Sequence, residues 1–154
     1  KRSSLLGNIG DLYHEMGKDK KCFKYYKRAL ALNADNALVL NNYAYFLSLL
    51  DKDLDNALKM AMRALELKPS EATYVDTYAW VLHRLGRNEE AKSAMKQALA
   101  LSSQMDDSLL VHYADILWAL GEKFMAETYW QKAVERGYDK ELMKAHIQEI
   151  KSKN

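Results

Sequence analysis

Four histidines (His14, His83, His112 and His146), a single cysteine (Cys22) and the tryptophans are the side chains of this sequence with the most chemistry in them. A zinc site would gather histidines at a fixed spacing, as in His-Glu-x-x-His, or supply paired cysteines. Here the histidines are scattered and Cys22 has no second cysteine, which also rules out an internal disulfide. No nucleophile elbow, phosphate loop or dinucleotide fingerprint is present. The chain therefore reads as non-catalytic, with no cofactor and no resident metal. What the spacing offers instead is a variable surface. The stretch YAWVLHRLG, residues 78–86, returns as YADILWALG at 113–121, with five of nine positions identical and Val81 exchanged only for Ile116. Three positions change character: Trp80 against Asp115, His83 against Trp118, and Arg84 against Ala119.

The held positions belong to a longer repeat that must position the variable ones. Ala29, Ala64, Ala98 and Ala133 stand in four similar segments at spacings of 35, 34 and 35 residues, each preceded at a distance of seven by Cys22, Ala57, Ala91 or Ala126. Seven residues is close to two helical turns, so each pair shares one stripe of a helix. Upstream, Gly10, Ala44, Ala79 and Ala114 lie in a second apolar helical pattern, which ends at Gly17, Gly86 or Gly121 in three of the four copies. Glycine there suits the left-handed conformation that terminates a helix. Each copy is thus helix, tight turn, helix. The second copy turns through DKDLD, one residue longer, with Asp or Lys doing the turning and Asp53 or Asp55 available as an N-cap. Asn88, followed by Glu89 and Glu90, starts the matching helix of the third copy with acids at its positive end. Pro69 closes the second hairpin, where a residue unable to continue a helix belongs.

Small residues on facing stripes let two backbones approach, and Tyr13, Leu47, Leu82 and Leu117 fill the space around them. Cys22 sits on such a stripe and reads as buried filler rather than a reactive thiol. After the fourth copy, Gly137 stops one helix and Asp139 caps the next. Leu142, Met143, His146, Ile147 and Ile150 recur on one face of that last helix, with Lys and Glu opposite, as a terminal capping helix requires. The front has no counterpart: Leu5, Leu6 and Ile9 face outward unless preceding repeats cover them.

Composition narrows the function further. The 154 residues, 49% hydrophobic, suffice for one domain with a continuous core. A net charge of +2 from 23 basic and 21 acidic side chains is too balanced for electrostatic nucleic-acid binding. Residues 1–34 carry eight basic and three acidic side chains, and the tyrosines among them in KDKKCFKYYKR bring RNA to mind. Those lysines alternate with packing positions, so they read as the solvated convex face of a helix. Apolar runs such as Ala44 to Leu50 are far shorter than the roughly 20 residues of a membrane helix, and no signal-peptide series opens the chain. A soluble segment without membrane insertion is expected. Its start at Lys1 suggests a piece of a longer protein, placed in the cell envelope if that protein carries an export signal and in the cytoplasm otherwise.

At this point the sequence resembles the tetratricopeptide repeat (TPR) family over residues 3 to 136. The third copy carries the family pattern as Val75, Tyr78, Ala79, Leu82, Gly86, Ala91, Met95, Ala98 and Ser103, and the first as Leu6, Ile9, Gly10, Tyr13, Gly17, Cys22, Tyr26, Ala29 and Ala34. Departures lie at the final Pro, present only as Pro69, and at the turn of the second copy. More narrowly, NNYAYFLS followed by LDNALKMAMRALELKPS resembles bacterial arrays of the Bacteroidetes type, several of which are exported or lipid-anchored.

The resemblance implies that the first helix of each repeat lines a concave groove, with its ninth, twelfth and thirteenth positions pointing inward. Those positions hold Asp11, His14 and Glu15; Tyr45, Ser48 and Leu49; Trp80, His83 and Arg84; and Asp115, Trp118 and Ala119. Asn41, Asn42, Asp76, Thr77 and His112 join them from nearby turns. Aromatics mixed with amides, acids and histidines suit a peptide, since the rings bury large areas with little entropy loss and the amides pair with an extended backbone. The family's carboxylate clamp maps onto Gly7, Asp11, Asn42, Thr73 and Thr77, of which only Asn42 matches, and Asp11 would repel a terminal carboxylate. His83 and His112 are expected to approach across adjacent repeats near Asp76 or Asp115, as solvated groove histidines in preference to a weak metal site.

The expected architecture is all-α: a right-handed α-solenoid with repeats at about 3–36, 37–70, 71–105 and 106–138 and a capping helix at 139–152. It would act as a non-catalytic scaffold binding a protein or peptide, with no nucleic acid. The alternative is a structural module whose first repeat continues into further repeats or self-associates. Replacing Ala57 or Ala91 by Leu should overpack a hairpin and lower stability by roughly 1–3 kcal/mol, read as an earlier urea-unfolding midpoint.

Overall fold

The small-residue stripes are realised as nine helices in a computed structural model that describes residues 1–102 and 106–153. They are α1 (Arg2–Glu15), α2 (Asp19–Leu32), α3 (Ala37–Leu49), α4 (Leu54–Leu67), α5 (Ala72–Arg84), α6 (Asn88–Leu101), α7 (Asp107–Ala119), α8 (Lys123–Glu135) and α9 (Lys140–Ser152). Ser103, assigned to the third copy's pattern, lies outside the described residues. Each odd helix packs most extensively on the even helix that follows it, giving four hairpins and a final single helix. All eight stripe residues on α2, α4, α6 and α8, Cys22 included, are fully buried. Gly10 shows how tight the approach is: a Cβ there would stand 2.6 Å from the Tyr26 ring.

One turn motif recurs. The amide of Gly17 donates to the His14 carbonyl and that of Lys18 to the Tyr13 carbonyl, and the same pair of bonds is made at Gly86/Arg87, Gly121/Glu122 and Gly137/Tyr138. This is the helix-ending pattern that requires a left-handed residue, and the four glycines have φ of +73°, +81°, +83° and +116°. Asp51, with φ +55°, takes that place in the second copy, while Lys52 donates the second bond to the Leu47 carbonyl. Asp53, also left-handed at φ +48°, stands at the N-cap of α4 without capping it. A capping side chain needs an extended backbone. From its left-handed one, Asp53 accepts instead from Asn56 at 3.3 Å, and Asp55 lies inside the first turn, so the cap expected from either residue is not formed. Side-chain caps do start three odd helices: Asn36 accepts from the Val39 amide, Asp106 from Ser108, and Asp139 from Glu141 and Leu142.

The stack is lopsided in an informative way. α3 lies against α5 and α5 against α7, whereas consecutive even helices make no comparable contact. The row that is drawn together lies on the inside of the curve, so the odd helices line the concave face. Buried residues form two clusters, one in the first two repeats together with Tyr74 and Val81 of α5 and one running from the third repeat to α9, with Leu58, Leu65 and Tyr78 packed against both. On α9, Met143, His146, Ile147 and Ile150 turn to the stack, but Leu142 is exposed, lying one helical step off that stripe. Among the described residues no helix is long and apolar enough to cross a membrane.

The left-handed turns yield a paired prediction. Gly86→Ala should lower stability by about 1 kcal/mol, whereas Asp51→Gly should raise it by a smaller amount, because relief of the left-handed backbone exceeds the loss of an exposed ion pair. Urea-unfolding midpoints of the two variants, shifted in opposite directions at unchanged slope, check it.

Candidate functional site

On the inner row, the residue at the ninth helical position of one odd helix meets the next odd helix at a place three residues before its own counterpart. Asp11, Tyr45, Trp80 and Asp115 form the first column, and Asn42, Thr77, His112 and His146 the second. Three of the four junctions make a direct contact this way: Asn42 donates to Asp11 at 3.3 Å, the rings of Trp80 and His112 stack at 4.2 Å, and His146 bonds both oxygens of Asp115 at 2.8 and 2.9 Å. Much of the polar chemistry on this face therefore joins repeat to repeat.

In the first junction the Tyr26 hydroxyl also donates to Asp11, and Asn41 donates to Asn42 at 3.3 Å. His14 lies flat on Phe46, ring centroids 3.5 Å apart, with its Nδ1 3.4 Å from the Asp19 carboxylate. In the centre, His112 Nδ1 meets Asp76 at 2.8 Å. Burial alone would depress the His112 pKa, but the charge and hydrogen bond of Asp76 outweigh it and the net shift is upward. Trp80 is only 8% exposed, held between His112 and His83, whose centroid is 4.8 Å away. His83 turns the other way, its Nδ1 2.6 Å from Asn88 Oδ1, and burial lowers its pKa. Tyr45 is half-buried, and desolvation with the nearby Asp76 carboxylate pushes its hydroxyl up to about 12. The two histidines thus serve different partners, and among the described residues no group of three or more His, Cys, Asp or Glu is placed to hold a metal ion.

At the far end Asp115 is 3% exposed, its carboxylate shared by His146 and the Trp130 indole N–H at 2.9 Å. Neither partner stands out in the sequence as one of its ligands, although His146 follows His112 by 34 residues, one repeat on. The indole nitrogens of Trp80 and Trp118 and Oδ1 of Asn41 are enclosed without a hydrogen-bond partner among the described residues. They are shut in by the chain itself, so they offer nothing to an incoming ligand. Asp11, His14, Asn42 and His112 keep partial exposure beside their partners, and over repeats two to four Tyr45, Leu49, His83, Arg84, Trp118 and Ala119 form a half-buried to exposed patch on the inner row. Arg84 is fixed by Asp51 through bonds of 2.9 and 3.2 Å, and the Trp118 ring has Lys123 and Lys151 at 4.9 and 5.3 Å. Glu15 is exposed at the first repeat, while Ser48 and Thr77 are buried.

A family profile described as tetratricopeptide repeat matches residues 3–36 and 74–105. No curated protein sequence matches the chain. Among solved structures, pilF of Pseudomonas aeruginosa is 22% identical with a TM-score of 0.74, aligning 92% of this chain with 64% of that one. PilW, described as a widely conserved type IV pilus biogenesis factor, is 21% identical with a TM-score of 0.77 over 87% of this chain and 61% of its own. The chain spans less than two thirds of either. The first TPR of Spaghetti (RPAP3), solved bound to the HSP90 peptide SRMEEVD, is 21% identical with a TM-score of 0.70 over 78% of this chain and 94% of its own.

The histidine pairs make stability pH-dependent with a definite sign. The Asp115 hydrogen bond raises the His146 pKa against burial, so this pair's contribution is complete below about 6.5, the unfolded value, and is lost as pH rises through the higher folded one; His112 acts with the same sign. His83, depressed by burial, acts oppositely, its contribution fading as pH falls through its folded value. Chemical denaturation of His146→Gln between pH 5 and 9 should show a shallower alkaline loss of stability than the parent.

Proposed function

The chain belongs to the tetratricopeptide repeat family, and from that premise we propose that it is a non-catalytic scaffold binding an extended peptide segment of a partner protein along its odd helices. The observation that carries this reading is the composition of the open patch. The stripes that bring the two helices of each hairpin together hold small residues in every copy, while the inner-row positions that keep solvent access hold Tyr45, Leu49, His83, Arg84 and Trp118. Two large amphipathic rings and a guanidinium already fixed by Asp51 make a surface that binds with little further ordering.

Other groove positions take supporting roles in this reading. Asp11, Asn41, Asn42, Asp76, Trp80, His112 and Asp115 form the floor, and their hydrogen bonds and stacking hold the open residues in register; His14, flat on Phe46, closes the first-repeat end. The peptide-bound relative supports the mode of binding. A terminal carboxylate held as in the family's clamp is disfavoured, because Asp11 and Asn42 are bonded to each other where that clamp would sit. An internal peptide segment, with a side chain against Trp118 and an acidic group reaching Arg84 or Lys123, fits the groups on offer.

Selection of a displayed random-peptide library on the immobilised chain tests this. Each of Tyr45→Ala and Trp118→Ala should weaken the selected peptides by about tenfold or more, the usual effect of truncating an interface aromatic. Unchanged affinity in a double variant that melts like the parent would place the ligand elsewhere.

A further inference from the structure

One column of exposed residues breaks its own pattern. Lys20, Asp55 and Glu89 occupy equivalent places near the start of α2, α4 and α6, two residues before the buried small residue of each, and all are exposed and charged. In α8 the place is taken by Phe124, which is 83% exposed. Among the described residues none buries its ring. Glu127, Thr128, Gln131, Lys132 and Glu135 surround it on the outward face of α8, and Lys132 leans over the Tyr129 ring at 4.6 Å. Glu127 holds Lys151 at 2.7 Å, while Glu135 has no ion-pair partner among the described residues.

At the opposite end of the stack, α1 and α2 form an open cavity of about 500 Å³ lined by Arg2, Leu5, Leu6, Arg28, Ala31 and Leu32. Leu5 and Leu32 are 60% and 56% exposed, so the lining is an apolar surface facing water. Arg63, Arg84 and Arg87 are each tied to a carboxylate; among the described residues Arg2, Arg28 and Arg136 have no ion-pair partner, and Arg28 rests over the Tyr25 ring at 5.0 Å.

We propose that this cavity receives Phe124 of a second copy of the chain, with Glu135, and Glu127 beside it, facing Arg2 and Arg28. The two patches offer each other matching groups: an exposed ring with the uncommitted Glu135 near it, and an apolar socket with Arg2 and Arg28 at its rim, while Lys132 and the Lys151-bound Glu127 balance each other beside the ring. They lie at opposite ends of the same molecule, so the contact is heterologous and leaves a free knob and a free socket after each addition. Such a contact propagates into rows of copies. It uses neither Tyr45, Arg84 nor Trp118, and stands or falls separately from peptide binding in the groove.

Light scattering on the eluting chain over a concentration series tests it. The parent should grow beyond a dimer as concentration rises, and Phe124→Glu and Leu5→Glu should each be monomeric alone, both substitutions being at exposed positions that fold does not depend on. Mixed together, the two variants should form a dimer and nothing larger, because one retains only the socket and the other only the knob. As a check independent of apolar surface, Arg28→Glu should weaken association by about tenfold or more and recover when mixed with Glu135→Arg. A parent that stays monomeric throughout, assembly undiminished by Phe124→Glu, or a mixture that remains monomeric would overturn the proposal.

Discussion

Everything in this fold depends on backbones being able to touch. Cys22, Ala57, Ala91 and Ala126, with Ala29, Ala64, Ala98 and Ala133, are buried because nothing larger fits between the two helices of a hairpin. Once that distance is set, Tyr26, Met95 and Trp130 reach across it and complete a dense core. Where a ring demands it, the facing residue shrinks, as at Gly10 beneath Tyr26. The turn chemistry follows from the same closeness. Two helices so near can be joined by only a few residues, and those few must include one in the left-handed region, so Asp51 accepts it where the other turns have glycine.

Hairpins held by small residues still have to be placed in line, and here polar groups take over. Asp76 and Asp115 are carboxylates that burial would leave destabilising were they alone; each finds a histidine on the next odd helix or the cap. Pairs of this kind add little net stability over a well-packed apolar contact but make any other register costly, since sliding one helix leaves a buried charge without its partner. Because the three junctions in direct contact match their columns differently, amide with carboxylate, indole with imidazole, imidazole with carboxylate, exchanging one helix for another would leave groups mismatched. This is a specificity device, and it draws on the columns the resemblance assigns to ligand contact.

That double use explains what was legible in the sequence. The helix-turn-helix pattern, the turn glycines and the cap at Asp139 follow from periodicity, and the structure has left-handed glycines at Gly17, Gly86 and Gly121 and a side-chain cap at Asp139. The missing cap at Asp53 could not be read, because it depends on a backbone angle imposed by a turn one residue longer than the rest. At the site, position in the repeat identifies which face a residue points to but not what already occupies that face. Trp80 and Asp115 do lie on the inner row, yet His112, Trp130 and His146 cover them. Those partners come from other repeats, and only the second column, Asn42, Thr77, His112 and His146, read as a unit, carries a trace of the pairing.

A solenoid has three kinds of surface, and the sequence treats them differently. The inner row is variable because it combines junction pairs with open groups such as Tyr45 and Trp118. The outward faces of the even helices are charged and interchangeable, as Lys20, Asp55 and Glu89 are, since they meet only water. The two ends are the places where repetition itself fails: each internal repeat has its apolar flank covered by a neighbour, and an end does not. α9 solves this at one end with a single stripe of Met143, His146, Ile147 and Ile150 against a lysine- and glutamate-rich back. No helix among the described residues covers the exposed Leu5 and Leu32 of α1 and α2, and α8 is the one even helix with an aromatic residue, Phe124, in this outward column. In an outward column that is otherwise charged, Phe124 exposes apolar surface to water at a cost that only a contact outside the described chain would recover.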